Sequence, residues 1–143
     1  MAKAPVRVFV LPVKSREAEI SKLKQMLIKA GCELICDQAV IDDYEKCLKQ
    51  ADTLVILMCP ETDGDETVIG LIALAASLGK RVIGVWLEDS NATELPPAIN
   101  KHGDAGITMD AKLIEEVICE GKTSWVLPNG KPRPTPKTPR HKG

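Results

Sequence analysis

Aromatic side chains are scarce in this chain of 143 residues, with one Phe, one Tyr and two Trp. Its core must therefore be filled by Val, Ile, Leu and Ala, the usual filling of a parallel sheet covered by helices, which argues for α/β and against a sandwich. Cysteine is present without pattern: five residues, an odd number, and no CxxC pair. That usage predicts reduced thiols in a cytoplasmic protein, with Cys32 and Cys36 serving as small buried apolar side chains. Only His102 and His141 could join them, so no metal site is expected. Long apolar runs are missing as well. Nothing reaches the ~20 apolar residues of a membrane span, and "MAKAPVRVFVLP" has no stretch of signal-peptide length, so a soluble chain with no membrane partner is expected.

The length suits one domain that buries roughly two-thirds of its unfolded surface. Charge is unevenly spread. Six of the nineteen Lys and Arg lie from Gly121 onward, where there is no acid, leaving thirteen bases against twenty acids in the body. Five of the ten prolines fall in the same stretch, "GKTSWVLPNGKPRPTPKTPRHKG". Residues 1–120 therefore read as the folded domain and 121–143 as an extended or disordered basic tail, anchored at its start by Trp125 and Val126. Such a tail could contact nucleic acid or an acidic protein, or simply aid solubility. No aromatics follow Trp125 to stack on bases.

Within the body, "VRVFVLP" predicts a first strand, and Ser15 stands where an N-cap belongs before a helix with Ile20, Leu23, Leu27 and Ala30 on one face, ended by Gly31. "CELICD" predicts a second strand near a sheet edge, and "DDYEKCLKQA" a short helix. The uninterrupted "TLVILMC" predicts a central strand stopped by Pro60. "ETVIGLIALAASL" predicts a helix so apolar that it must be buried or meet another subunit. "RVIGVWL" and "GITM" supply two more strands, with a short helix entered at Pro97 between them and "AKLIEEVICE" closing the domain. Alternation of this kind implies a flavodoxin-like α/β fold with a five-stranded parallel sheet of order 2-1-3-4-5, which binds ligands outside the carboxyl ends of strands one and three.

Those ends are "LPVKSRE" and "CPETDGDE". The second holds Glu61, Asp63, Asp65 and Glu66, and two readings of it stand side by side. Crowded carboxylates shielded from water acquire raised pKa values and can serve as base or nucleophile. Equally, "TDGDE" is an ordinary turn in which Asp65 or Thr62 caps the next helix and the other acids suit its dipole. Ser15 and Arg16 could contact a phosphate or ribose across the same crevice, or be a plain cap and a surface arginine. "GKTS" at Gly121 lacks the partner glycine of a phosphate loop. A receiver-type phosphoacceptor is also excluded, because Leu11, Pro12, Cys59 and Pro60 stand where its acids belong. His102 reads as a surface loop residue.

"ADTLVILMCP", an acid-rich loop, a small-residue helix ending "LGKRVIGVW" and the later "ELPPAI" together resemble the nucleoside 2-deoxyribosyltransferase and TIR-like superfamily over about residues 5–118. The resemblance implies a nucleotide- or nucleoside-binding domain that cleaves the N-glycosidic bond of NAD or a related nucleotide as substrate, without a required cofactor. It implies Glu66 as the catalytic carboxylate beside an oxocarbenium-like centre, with Asp63 as its partner in proton transfer. Asp65 would hold ribose hydroxyls, Ser15, Arg16 and Pro60 would line the ligand, and Trp86 would stack on it, Tyr44 and Phe9 being the other aromatics of the body. Such domains work as homo-oligomers or within bacterial immune systems. Glu66 stands further from Gly79-Lys80 than in the familiar pattern by a little over one helical turn. The alternative is thus a non-catalytic interaction subunit with a degenerate site, binding a partner protein or nucleic acid.

Overall fold

The computed structural model describes residues 5–36, 43–88, 90–92 and 94–134. Its strands are β1 (Arg7–Val10), β2 (Glu33–Leu34), β3 (Thr53–Met58), β4 (Arg81–Trp86) and β5 (Ala105–Ile107). All four pairings are parallel and the order is β2-β1-β3-β4-β5, the flavodoxin-like arrangement expected from the alternation of strands and helices. β3 is buried at every position, as its unbroken apolar run requires of a central strand.

Helices α1 (Glu17–Lys29), α2 (Tyr44–Gln50), α3 (Glu66–Ser77), α4 (Pro97–His102) and α5 (Ala111–Leu113), the last running on as a π-helical segment (Ile114–Cys119), cover both faces. Ile20, Leu23 and Leu27 of α1 and Ile114, Val117 and Ile118 of the closing helix pack on one face, over Val8, Val55 and Ile83. Leu48 of α2, Leu71 and Ile72 of α3 and Ile99 of α4 pack on the other, over Phe9, Ile56 and Trp86. Both long helices close in the same way. Cys32 N–H donates to Leu27 O and Lys80 N–H to Ala75 O, with Gly31 (φ 99°) and Gly79 (φ 73°) in the left-handed conformation that such a turn demands. Five residues of α3 are buried, while Ile69 and Leu78 remain 44% and 41% exposed.

On the second face, two glycines let neighbouring side chains close on β4 and β5. Gly84 of β4 and Gly106 of β5 are register partners, and side chains from elsewhere settle over both. A Cβ on Gly84 would lie 2.6 Å from Met58 Sδ, and one on Gly106 would lie 3.2 Å from the Trp125 ring. Absent side chains here allow close approach of Met58 and Trp125 to the sheet.

Three expectations need correction. The cysteines are not reduced singletons: Cys32 bonds to Cys119 and Cys36 to Cys47, leaving a buried Cys59 as the free thiol. Spacing could not reveal the first pair, because it arises from topology, which lays the end of the closing helix beside the end of α1. Strand two is only Glu33–Leu34, since Cys36 (φ 52°) leaves the extended region. Ser15 is not the N-cap of α1. It lies in a 3₁₀ turn (Lys14–Arg16), the cap position belongs to Arg16, and the serine hydroxyl is used elsewhere.

Beyond Gly121 the chain turns back on itself. Gly106 N–H donates to Ser124 O and Val126 N–H to Gly106 O, so the segment covers the free edge of β5. An Asn129-Gly130 turn then brings Arg133 N–H to Trp125 O at 2.9 Å. Trp125 and Val126 are buried, and the Trp86 indole N–H donates to Val126 O at 2.7 Å. The globular body thus runs on past Glu120. The remaining tail, from residue 135, lies outside the described residues.

Candidate ligand crevice

The loop that ends β3 (residues 59–65) is a compact turn built by Thr62. Its buried hydroxyl donates to Leu57 O at 2.7 Å and accepts from Cys59 N–H at 3.2 Å, while Thr62 and Asp63 N–H groups both return to Cys59 O. This knot of bonds gives each of the four acids a different place. Asp65 is the N-cap of α3, accepting from Val68 N–H at 3.1 Å. Glu66 occupies the first helical position, exposed to solvent. Asp63 faces a cavity. Glu61 reaches across the crevice to the end of β1.

That reach is the most specific contact of the site. Ser15 Oγ donates to Glu61 Oε2 at 2.6 Å, and Arg16 Nε donates to the same oxygen at 2.7 Å. Arg16 also lies 3.7 Å from Glu19, one helical turn on. The hydrogen bond from Ser15, then that from Arg16, favours the ionised carboxylate and holds the Glu61 carboxyl down to about 2, and the same partner raises the guanidinium pKa.

Two cavities flank this bridge. One, of about 560 Å³, opens over the carboxyl ends of β3 and β4. Met58, Trp86, Leu95 and Pro96 form its apolar wall, and Arg16, Asp63, Ser90, Asn91 and Glu94 its polar mouth, with Pro60 and Cys59 at the edge. The other, of about 530 Å³, lies at the switch point between β1 and β3. Lys14, Ser15, Tyr44, Glu61, Asp65 and Thr67 line it. Tyr44 stacks at a tilt on Phe9, ring centroids 5.8 Å apart, and burial raises its pKa.

Of the sequence-derived candidates, Arg16, Pro60, Asp63 and Trp86 converge on the first cavity, and Ser15 and Asp65 on the second. Glu66 lines neither. Sequence reasoning missed Met58, residues 90–92 and 94–97, and the role of Glu61. Loops at strand carboxyl ends next to a switch point line ligand crevices, and that rule, applied to β4, would have drawn in Ser90, Asn91 and Leu95. Among the described residues no group of three or more His, Cys, Asp or Glu side chains is placed to hold a metal, and no helix is long and apolar enough to cross a membrane.

This is the architecture of an α/β domain with a cavity at its topological switch point. Among solved structures it is similar to the TIR domain of the Toll-related receptor TRR-2 from the lower metazoan Hydra magnipapillata, at a TM-score of 0.51 and 16% identity over 79% of this chain and 90% of that one. It is also similar to the CMP N-glycosidase BcmB of Clostridium botulinum, at a TM-score of 0.49 and 22% identity over 74% of this chain and 91% of that one. The chain thus has the fold of the TIR-like group that its sequence resembles, and at these identities the likeness is one of fold. No protein-family model matches the chain, and no curated protein matches it.

Proposed function

We propose that the chain binds a nucleoside or nucleotide in the larger cavity, with the base against the apolar wall of Trp86, Leu95 and Pro96 and the sugar at the polar mouth. The observation that carries this reading is the composition of that cavity. An apolar space of several hundred cubic ångströms with a few polar groups is what small-molecule sites look like, and this one opens at the carboxyl end of the sheet beside the switch point where open α/β sheets bind ligands.

The reaction proposed for it is cleavage of the N-glycosidic bond of NAD or a related nucleotide. As the C1′–N bond breaks, its electron pair leaves with the base, positive charge develops at C1′ and O4′, and a carboxylate held there stabilises it. Water then adds to C1′ and loses a proton, which is released to solvent when neutral nicotinamide leaves NAD and is taken up by the base when the base leaves as an anion. Two carboxylates line the cavity, Asp63 and Glu94; the role is assigned to Asp63, on the loop that ends β3, and Glu66 stands at the adjoining helix start.

A second reading, the non-catalytic interaction subunit, is favoured by the position of Glu66 outside both cavities and by the exposed apolar side chains of Ile69 on α3 and Leu78 at its end. Incubation with NAD, nucleotides and nucleosides, followed by chromatography for nicotinamide or free base, separates the two. Base release that disappears in Asp63→Asn supports the enzyme, and loss in Glu66→Gln alone would reassign the carboxylate. No release together with no binding would leave the interaction subunit.

A further inference from the structure

The Ser15–Arg16–Glu61 bridge stands between the two cavities, with Arg16 lining one and Ser15 and Glu61 lining the other. Two donors of different type, a hydroxyl and a guanidinium N–H, converge on a single carboxylate oxygen at 2.6 and 2.7 Å. A phosphate oxygen in that place would meet the same two donors at the same distances, and its remaining oxygens would have open cavity on both sides. Lys14 lines the switch-point cavity next to them and adds a second cation.

We infer that Ser15 and Arg16 are an anion site, held in the free protein by the chain's own Glu61 and taken over by the phosphate of a nucleotide that displaces it. The inference rests on the nucleotide reading above for its ligand class and adds a requirement: a phosphorylated ligand rather than a bare nucleoside opens the way between the cavities. Displacement needs no backbone movement. Glu61 is on the outer loop with its side chain 32% exposed, so a change of rotamer carries the carboxylate into water. One anion leaves as another arrives, so Arg16 is never left without a counter-charge, and the phosphate brings about −1.5 to −2 where the carboxylate had −1. A ligand spanning both cavities, base on one side and phosphate on the bridge, then fits a space that is divided in the free protein. Glu61 also gives discrimination, because a neutral ligand cannot replace the charge-assisted bonds it would break.

The test is calorimetric titration of the full chain with inorganic phosphate, nucleoside 5′-monophosphates and the corresponding nucleosides, in the wild type, Glu61→Ala and Glu61→Gln. Removing the internal competitor should strengthen binding of phosphate and of the monophosphates by roughly tenfold or more, the factor that one charge-assisted hydrogen bond is worth. Nucleoside affinity should stay as it was, and adding Arg16→Ala to Glu61→Ala should erase the gain. Glu61→Gln keeps the shape of the side chain and guards against an effect of misfolding. Unchanged or weaker phosphate binding in both variants overturns the inference. Failure of every nucleoside and monophosphate to bind, with the gain for inorganic phosphate intact, would instead overturn the nucleotide reading and leave the anion site standing.

Discussion

Replacing Gly84 by alanine puts a Cβ where the thioether of Met58 now lies, 2.6 Å from Sδ and 2.9 Å from Cε. Neither contact is sustainable, and the strand cannot retreat, because β4 is hydrogen-bonded between β3 and β5. Methionine must move. The free space beside it is the larger cavity, which Met58 itself lines, so the displaced side chain enters the ligand site. Overpacking of this kind costs about 1–3 kcal/mol, offset by about 0.4–1 kcal/mol from the reduced freedom of the unfolded chain, for a net loss of between about 0 and 2.5 kcal/mol, toward the lower end because the clash falls on the flexible end of Met58. With a urea slope of about 1–3 kcal/mol/M, the unfolding midpoint should fall by up to roughly 1 M at unchanged slope, and ligand affinity should fall with it. A midpoint that rises in Gly84→Ala would refute the close contact of Met58 with Gly84. Stability lost with ligand affinity intact would refute its place in the cavity wall.

The Cys32–Cys119 bond spans 87 residues, and a loop of that length is worth about 4–5 kcal/mol through the unfolded chain, so Cys119→Ser or treatment with dithiothreitol should lower the urea midpoint sharply; no change under reductant would contradict the pairing. Trp86→Phe leaves Val126 O without its indole donor in a buried position, at a cost of about 1–3 kcal/mol read by thermal melting. Glu61 has its folded pKa lowered from 4.5 to about 2, so its contribution to stability is fully present above about 4.5 and is lost as pH falls toward 2; Glu61→Gln should flatten the pH profile across that window alone.

How much of this could be read from sequence depends on whether the signal is local. Thr53–Met58 announced a central strand because all six residues are apolar or β-branched, and Gly31 and Gly79 announced helix ends because only glycine takes that backbone freely. The crevice followed from strand order. Nothing local marks the pairing of Gly84 with Gly106, which depends on register, or the reach of Glu61 to Ser15 across 46 positions. Asp65 could be read as a cap from its place before an apolar run. That Asp63 would face the cavity and Glu66 the solvent is decided by the Thr62 knot, which turns the loop before α3 begins.

The central claim is that the cavity over β3 and β4 is a nucleotide site, and blocking it tests that claim most directly. Ala92 is exposed and lines the cavity, so Ala92→Trp fills the space without touching the core. Titration of the wild type with nucleoside 5′-monophosphates should give saturable binding that Ala92→Trp abolishes while the unfolding midpoint is kept. Equal binding by the two proteins, or none by the wild type at millimolar ligand, would contradict the account.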